Sequence, residues 1–193
     1  MGHRIAIMGG SFNPIHIGHA IIAKYVLDHN LADQLWLMVS PQNPLKLNST
    51  FAPDEHRLRM TQMVADHLPG AITSAFEFTL PRPSYTIDTL RALQAKFPDD
   101  ELSLVIGADN WAVWDKWKEH EALVEEFSVL VYPRLGYDIT IGPRLRHRVK
   151  AIDAPIIEVS STAIRQMISD GISPTFYLTP EVEQFILRNK LYT

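Results

Sequence analysis

Two histidines stand three apart in His16-Ile17-Gly18-His19, one residue after the glycine-containing stretch Gly9-Gly10-Ser11-Phe12-Asn13-Pro14. Side chains three apart share a face of a helical turn, and Gly18 leaves room between the two rings. Imidazoles so placed can both donate to phosphate oxygens. The backbone from Gly9 to Phe12 can approach an anion closely, and the free N–H groups of the helix start favour one. The plain alternative is a pair of surface or capping histidines. A metal pair is disfavoured because no third ligand lies nearby in sequence.

Five further segments carry chemistry-bearing residues. Ser40-Pro41-Gln42-Asn43-Pro44-Leu45-Lys46 is held extended by two prolines and ends in a cation that can meet phosphate. Pro83-Ser84-Tyr85-Thr86-Ile87-Asp88-Thr89-Leu90 reads as a loop and a helix start, a fitting place for a carboxylate. Leu104-Val105-Ile106-Gly107-Ala108-Asp109 is a strand ending in Gly-x-Asp, where Asp109 can accept from a ribose hydroxyl or an amine, or simply cap a helix. Val159-Ser160-Ser161-Thr162-Ala163-Ile164-Arg165 puts hydroxyls, free N–H groups and a guanidinium at one helix start, the makings of a phosphate cradle. Arg134, in Tyr132-Pro133-Arg134-Leu135-Gly136, is either a nucleotide contact or a surface arginine. Arg144, Arg146, Arg148 and Lys150 form a charge run that reads as a solvated face.

The elements that must position these residues follow from apolar runs. Ile5–Met8, Leu35–Val39, Ala71–Phe78, Leu102–Ile106, Phe127–Tyr132 and Pro155–Val159 read as strands, several of them unbroken, as parallel strands covered on both faces are. Helical patterns lie between them: Ile17–His29, Asp54–His67, Thr86–Phe97 and Asp109 to about Glu126. Two more follow, one from Ser160 to Gly171 and one opening at Thr179-Pro180. Asp54-Glu55-His56-Arg57 opens its helix in a structural role, its acids suiting the positive helix end. Trp111, Trp114 and Trp117 are spaced like a helical stripe, which usually packs. The fold class is α/β: a single doubly wound, Rossmann-like parallel sheet flanked by helices, with a short C-terminal helical segment, one domain over residues 1–193. The glycine stretch then sits at the carboxyl end of the first strand, where ligands of such sheets bind.

Composition narrows the function. The chain has 193 residues, 46% hydrophobic and 21% charged, with a formal net charge of −4 and no cysteine. Thiol nucleophiles, disulfides and cysteine zinc sites are excluded. The acidic balance argues against nucleic-acid binding, and no run approaches the roughly 18 apolar residues of a membrane span. A cytoplasmic location is expected. No Gly-x-x-x-x-Gly-Lys-Ser/Thr occurs, so this is not a P-loop. The glycines do not fit Gly-x-Gly-x-x-Gly, and Val39 runs into Ser40-Pro41 with no acid to hold a ribose, which argues against hydride transfer.

The stretch from Gly9 to His19 resembles the signature of the nucleotidyltransferase superfamily bearing a His-x-Gly-His motif. It also spells the motif of class I aminoacyl-tRNA synthetases, but no Lys-Met-Ser-Lys-Ser-like segment is present and an anticodon-binding domain is not expected. The segment from Ser161 resembles the superfamily's second motif, Ser-Ser-Thr-x-Ile-Arg. Pro83 to Leu90, and Gly107-Ala108-Asp109 with a tryptophan eight residues later, resemble the nicotinate-mononucleotide adenylyltransferase family of bacteria. That resemblance implies adenylyl transfer from ATP to nicotinate mononucleotide, in NAD biosynthesis. It implies a catalytic set of His16, His19, Lys46 and Arg165. It implies ATP contacts from Gly9, Gly10, Ser11, Phe12, His16, Gly18, His19, Gly107, Asp109, Arg134, Ser161, Thr162, Ile164 and Arg165. Ser40, Lys46, Tyr85, Thr86 and Trp117 would meet the nicotinate nucleotide, with Trp117 stacking on the pyridine ring. Lys118 departs from the aromatic residue expected there in some relatives. Mg²⁺ would arrive with ATP rather than on protein side chains. The implied partners are these small molecules, with no nucleic acid and no membrane, and a homo-oligomer is left open. The same chemistry on nicotinamide mononucleotide or phosphopantetheine, and a non-catalytic nucleotide-binding module, stay as alternatives.

Overall fold

The unbroken apolar runs become strands because each is covered on both faces. In the computed structural model, which describes residues 2–41 and 51–193, the chain runs β1 (Arg4–Gly10), α1 (Ile17–Asp28), β2 (Gln34–Val39), α2 (Asp54–Ala65), β3 (Ala71–Ser74), α3 (Thr86–Lys96) and β4 (Glu101–Gly107). It continues through α4 (Ala108–Trp111), α5 (His120–Glu126), β5 (Ser128–Tyr132), β6 (Val149–Ala151), α6 (Ser161–Ser169) and α7 (Pro180–Arg188). All strand pairs are parallel, in the order β3-β2-β1-β4-β5-β6.

Successive strand residues face opposite sides of the sheet, which resolves the apolar runs into two cores. Ala6, Met8, Leu35 and Leu37 pack with Val26 of α1, Met60 of α2, Ile164 of α6 and Ile186 of α7. Ile5, Ile7, Leu104 and Val129 pack on the other face with Ile87 and Leu90 of α3 and Leu123 of α5. The chain builds β2 and β3 on one side of β1 and then crosses to β4 on the other. That reversal opens a crevice at the carboxyl ends of β1 and β4, the position where ligands of doubly wound sheets bind.

Three expected elements differ. The strand expected over Ala71–Phe78 stops at Ser74, and Phe76–Thr79 forms a 3₁₀ turn. The Ser74 hydroxyl accepts from the Phe76 N–H at 3.3 Å, a local bond that competes with the ladder. The sixth strand is Val149–Ala151, inside the basic run, and not Pro155–Val159. Val149 is buried while Ile156 is half exposed, so the apolar residues of the later segment do not mark sheet interior. The helix expected from Asp109 to Glu126 is broken into α4, a 3₁₀ turn at Trp114–Lys116, and α5, whose N-cap Glu119 is left-handed. No helix among the described residues is long and apolar enough to cross a membrane.

Candidate active site

A cleft of about 1060 Å³ lies over the crevice between β1 and β4. That volume slightly exceeds the roughly 300–1,000 Å³ usual for small-ligand sites. Several separate parts of the chain line it. Gly9, Gly10, Ser11, Phe12, His16 and His19 come from the β1–α1 turn. Ser40, Tyr85, Thr86 and Trp117 stand at another part of the wall. Gly107, Asp109 and Arg134 come from the ends of β4 and β5, and Ser161, Thr162 and Arg165 from the start of α6.

The β1–α1 turn is built to present its histidines. His16 is the extended N-cap of α1, and its N–H donates to His19 Nδ1 at 3.2 Å. That bond puts the His19 proton on Nε2 and makes Nε2 a donor. The two rings lie 3.8 Å apart, and the Phe12 ring meets His19 edge-on at 5.0 Å. A Cβ on Gly18 would approach the His16 ring to 3.0 Å, so Gly18 makes room for the imidazole. Among the described residues a Cβ on Gly9 would touch nothing within 4 Å, and Gly9 lines the cleft. Burial, helped by the Arg134 guanidinium, lowers the His16 pKa to about 4. His16 is therefore neutral at pH 7, with a single N–H to offer.

The α6 motif is bonded to this turn. Ser160 caps α6 by accepting from the Ala163 N–H at 3.1 Å. Ser161 Oγ donates to the Pro14 carbonyl at 2.9 Å, and Arg165 Nη1 donates to the Asn13 carbonyl at 2.8 Å. Arg165 Nη2 donates to Thr162 Oγ1 at 3.2 Å. Arg165 thus has donors left for a ligand, whereas the Ser161 proton is committed to the turn. Ile164 departs from its expected place: it is fully buried in the apolar core and does not line the cleft. Gly18 likewise supports His16 from beneath rather than forming the wall of this cleft. Lys46 lies outside the described residues.

At the ends of β4 and β5, Arg134 Nε stands 3.7 Å from Asp109 Oδ1, and Arg134 Nη2 donates to the Tyr132 hydroxyl at 3.3 Å. Burial pushes the Tyr132 hydroxyl up. Among the described residues, Asp109 Oδ1, Arg134 Nε, His16 Nδ1 and Trp117 Nε1 are buried without a hydrogen-bond partner. All four belong to residues that line the cleft, and buried polar atoms without partners call for a ligand or water. Among the described residues no group of three His, Asp or Glu converges.

At the Trp117 end, α3 begins at Thr86 with Tyr85 as an extended N-cap, so its first N–H groups are free of helical partners. Trp117 stacks on Trp114 at 5.2 Å, and Trp114 lies 5.2 Å from Trp111, so the three rings form one row. Trp114 is buried as packing, and Trp111 Nε1 donates to the Thr140 carbonyl at 3.0 Å. Lys118 Nζ pairs with Asp88 at 2.8 Å, tying the Trp117 segment to the first turn of α3.

Several residues that sequence reasoning left without a site role support the cleft from below. Arg57 is wholly buried. It donates to the carbonyls of Ser11 at 2.6 Å, Ser40 at 2.7 Å and Ala52 at 3.2 Å, and pairs with Asp54. Asn13 accepts at Oδ1 from the Ala52 N–H at 3.0 Å and from the Tyr192 hydroxyl. The only sequence signal for Arg57 is its i,i+3 spacing from Asp54, and nothing in the sequence reveals its burial.

Comparison with known proteins places this geometry. The cytidylyltransferase-like family model matches residues 7–167. A probable nicotinate-nucleotide adenylyltransferase of Bacteroides fragilis is 43% identical, over 96% of this chain and 92% of the relative. One of Flavobacterium psychrophilum is 40% identical over 98% of both chains. In fold, the chain is similar to the nicotinic acid mononucleotide adenylyltransferase of Plasmodium falciparum, solved in complex with NaAD. That likeness has a TM-score of 0.81 at 18% identity, over 98% of this chain and 97% of the other. A chain that matches the family model over most of its length and shares two-fifths of its residues with these relatives belongs to the nicotinate-nucleotide adenylyltransferases, within the cytidylyltransferase-like nucleotidyltransferases.

Proposed function

We propose that this protein transfers the adenylyl group of MgATP to nicotinate mononucleotide, giving nicotinate adenine dinucleotide and pyrophosphate. The 5′-phosphate oxygen of the mononucleotide attacks the α-phosphorus in line. The bond from that phosphorus to the oxygen bridging to the β-phosphate breaks, and pyrophosphate leaves with its electron pair. No protein nucleophile takes part, so catalysis is positioning and charge stabilisation.

The observation that carries this reading is the bonding of the two phosphate-type motifs to each other across one cleft, through Arg165 and Asn13 and through Ser161 and Pro14. In this reading the Gly9–Phe12 backbone cradles the nucleotide, and His19 Nε2–H and the single N–H of His16 donate to its phosphates. Thr162, Arg165 and the α6 N-terminus hold the triphosphate with Lys46, and Mg²⁺ arrives on the nucleotide. Asp109 and Arg134, whose facing atoms form an ion pair at 3.7 Å without a hydrogen bond, meet the adenosine side. Trp117 stacks on the pyridine ring, a contact worth about 0.5–1.5 kcal/mol beyond buried area. The ring carboxylate takes the free N–H groups at Tyr85 and Thr86, because a helix N-terminus favours an anion over a neutral amide. An enzyme of free nucleotides fits the expected cytoplasm.

Pyrophosphate release from MgATP, measured with nicotinate and nicotinamide mononucleotides in parallel, tests the reading. Turnover with a clear preference for the acid is expected. Equal use would remove the helix-end assignment, and no turnover with either would overturn the reaction.

A further inference from the structure

The mechanism above leaves one buried acid in the cleft without a task. Glu77 lies in the 3₁₀ turn after β3, is 8% exposed, and lines the cleft. Its carboxyl group accepts from Ser84 Oγ at 3.4 Å and from Thr89 Oγ1 at 3.3 Å. Both partners are themselves buried. Ser84 precedes the N-cap of α3 and Thr89 sits one turn into the helix, so a single carboxyl group grips both sides of the helix start. Burial pushes the Glu77 carboxyl up, and the hydroxyls around it, those of Thr89 and Ser84 included, work against that shift.

We propose that Glu77 is a positioning residue that fixes the N-terminus of α3 against the turn that follows β3 and thereby sets the preference for the acid over the amide mononucleotide. The inference rests on the reaction proposed above. The free N–H groups at Tyr85 and Thr86 reward a carboxylate only when they point along its lone pairs, because hydrogen bonds weaken steeply with misalignment. A helix start displaced by about 1 Å loses that alignment and the charge-assisted part of the binding. The amide, with one acceptor in place of two charged ones, has less to lose. Glu77 touches the hydroxyls and acts through them.

The test is steady-state kinetics of the wild type, Glu77→Gln and Glu77→Leu with both mononucleotides, alongside KM for ATP. Glutamine can accept from one hydroxyl and donate to the other. It should stay within about threefold of the wild type. Leucine should raise KM for nicotinate mononucleotide about tenfold, leave KM for ATP within about twofold, and shrink the acid-to-amide ratio of kcat/KM. An unchanged ratio, an equal rise for ATP, or a glutamine variant as impaired as leucine would overturn the proposal. If Glu77→Leu does not fold, Thr89→Val, which cuts one of the two contacts, is read by the same criteria. A wild type that turns over neither mononucleotide, or uses both equally, defeats the underlying reading. An active, acid-preferring wild type with unresponsive variants defeats only the role of Glu77.

Discussion

The hydroxyl of Tyr192 donates to Asn13 Oδ1 at 2.8 Å, joining residues 179 positions apart. Burial pushes the Tyr192 pKa up, so the hydroxyl keeps its proton and stays a donor. Asn13 Oδ1 also holds the Ala52 N–H, and its carbonyl holds Arg165. Tyr192→Phe removes one neutral hydrogen bond and should lower stability by about 1 kcal/mol. Asn13→Ala strands two buried donors and should lower it by about 3 kcal/mol. Urea unfolding midpoints check both, and a phenylalanine variant as unstable as the alanine one would show that the side-chain bond is not what matters.

His16 makes stability depend on pH. Its folded pKa is about 4 against 6.5 for the free side chain. Between those values the unfolded chain binds more protons, so stability rises with pH from 4 to 6.5 and is level above. The contribution amounts to about 3 kcal/mol at most. In urea titrations across this window, His16→Asn should show a shallower slope than the wild type, and parallel slopes would count against a buried neutral imidazole.

His19 carries its proton on Nε2 because Nδ1 accepts from the His16 N–H. Removing one preorganised donor to a developing charge costs on the order of 10²–10³ in turnover. His19→Ala should show that loss in kcat at temperatures where the variant is still folded, with a lowered unfolding midpoint because the His16 N–H loses its acceptor. Near-wild-type turnover would place the reaction elsewhere.

Gly9 and Gly107 separate ligand contact from protein contact. Among the described residues a Cβ on Gly9 meets no atom within 4 Å, whereas one on Gly107 meets Asp109 Oδ1 at 2.3 Å and the Tyr132 ring at 3.1 Å. Gly9→Ala should therefore keep its melting temperature and raise KM for ATP about tenfold or more, since only a bound nucleotide can collide with the methyl group. Gly107→Ala should lower both stability and activity.

Arg57→Met fills similar volume but strands the carbonyls of Ser11, Ser40 and Ala52, while the partly exposed Asp54 keeps Arg82 as a partner. A loss of about 3 kcal/mol is expected, from acceptors left unsatisfied in the interior. Because two of those carbonyls belong to Ser11 and Ser40, activity should fall at temperatures where the variant is still folded. Differential scanning calorimetry beside the pyrophosphate assay reads both.

The sheet was legible where apolar runs coincide with strands buried on both faces, as at Ile5–Met8 and Leu102–Ile106. It was not legible at β6, because Val149 contributes one buried residue inside a basic run. Nor was the end of β3 legible, since Ser74 turns the chain through a side-chain bond that composition does not show. The cleft wall was legible in its short motifs, from Gly9 to His19 and from Ser160 to Arg165. What lies beneath it was not: Arg57, Asn13, Glu77 and Tyr192 act through contacts between distant segments, and a one-dimensional pattern carries no trace of them. Ile164 errs in the opposite sense. It belongs to a phosphate motif by position and to the core by its side chain.

The hydrogen bonds from Ser161 and Arg165 back to Pro14 and Asn13 bear on the order of synthesis. A growing chain has its histidine turn early but lacks the clasp on that turn until α6 has emerged, and lacks Tyr192 until later still. In the reading proposed above, the turn is therefore clasped from α6 only after most of the chain has emerged, and a fragment that stops before Ser161 should retain ATP more weakly than one that includes α6.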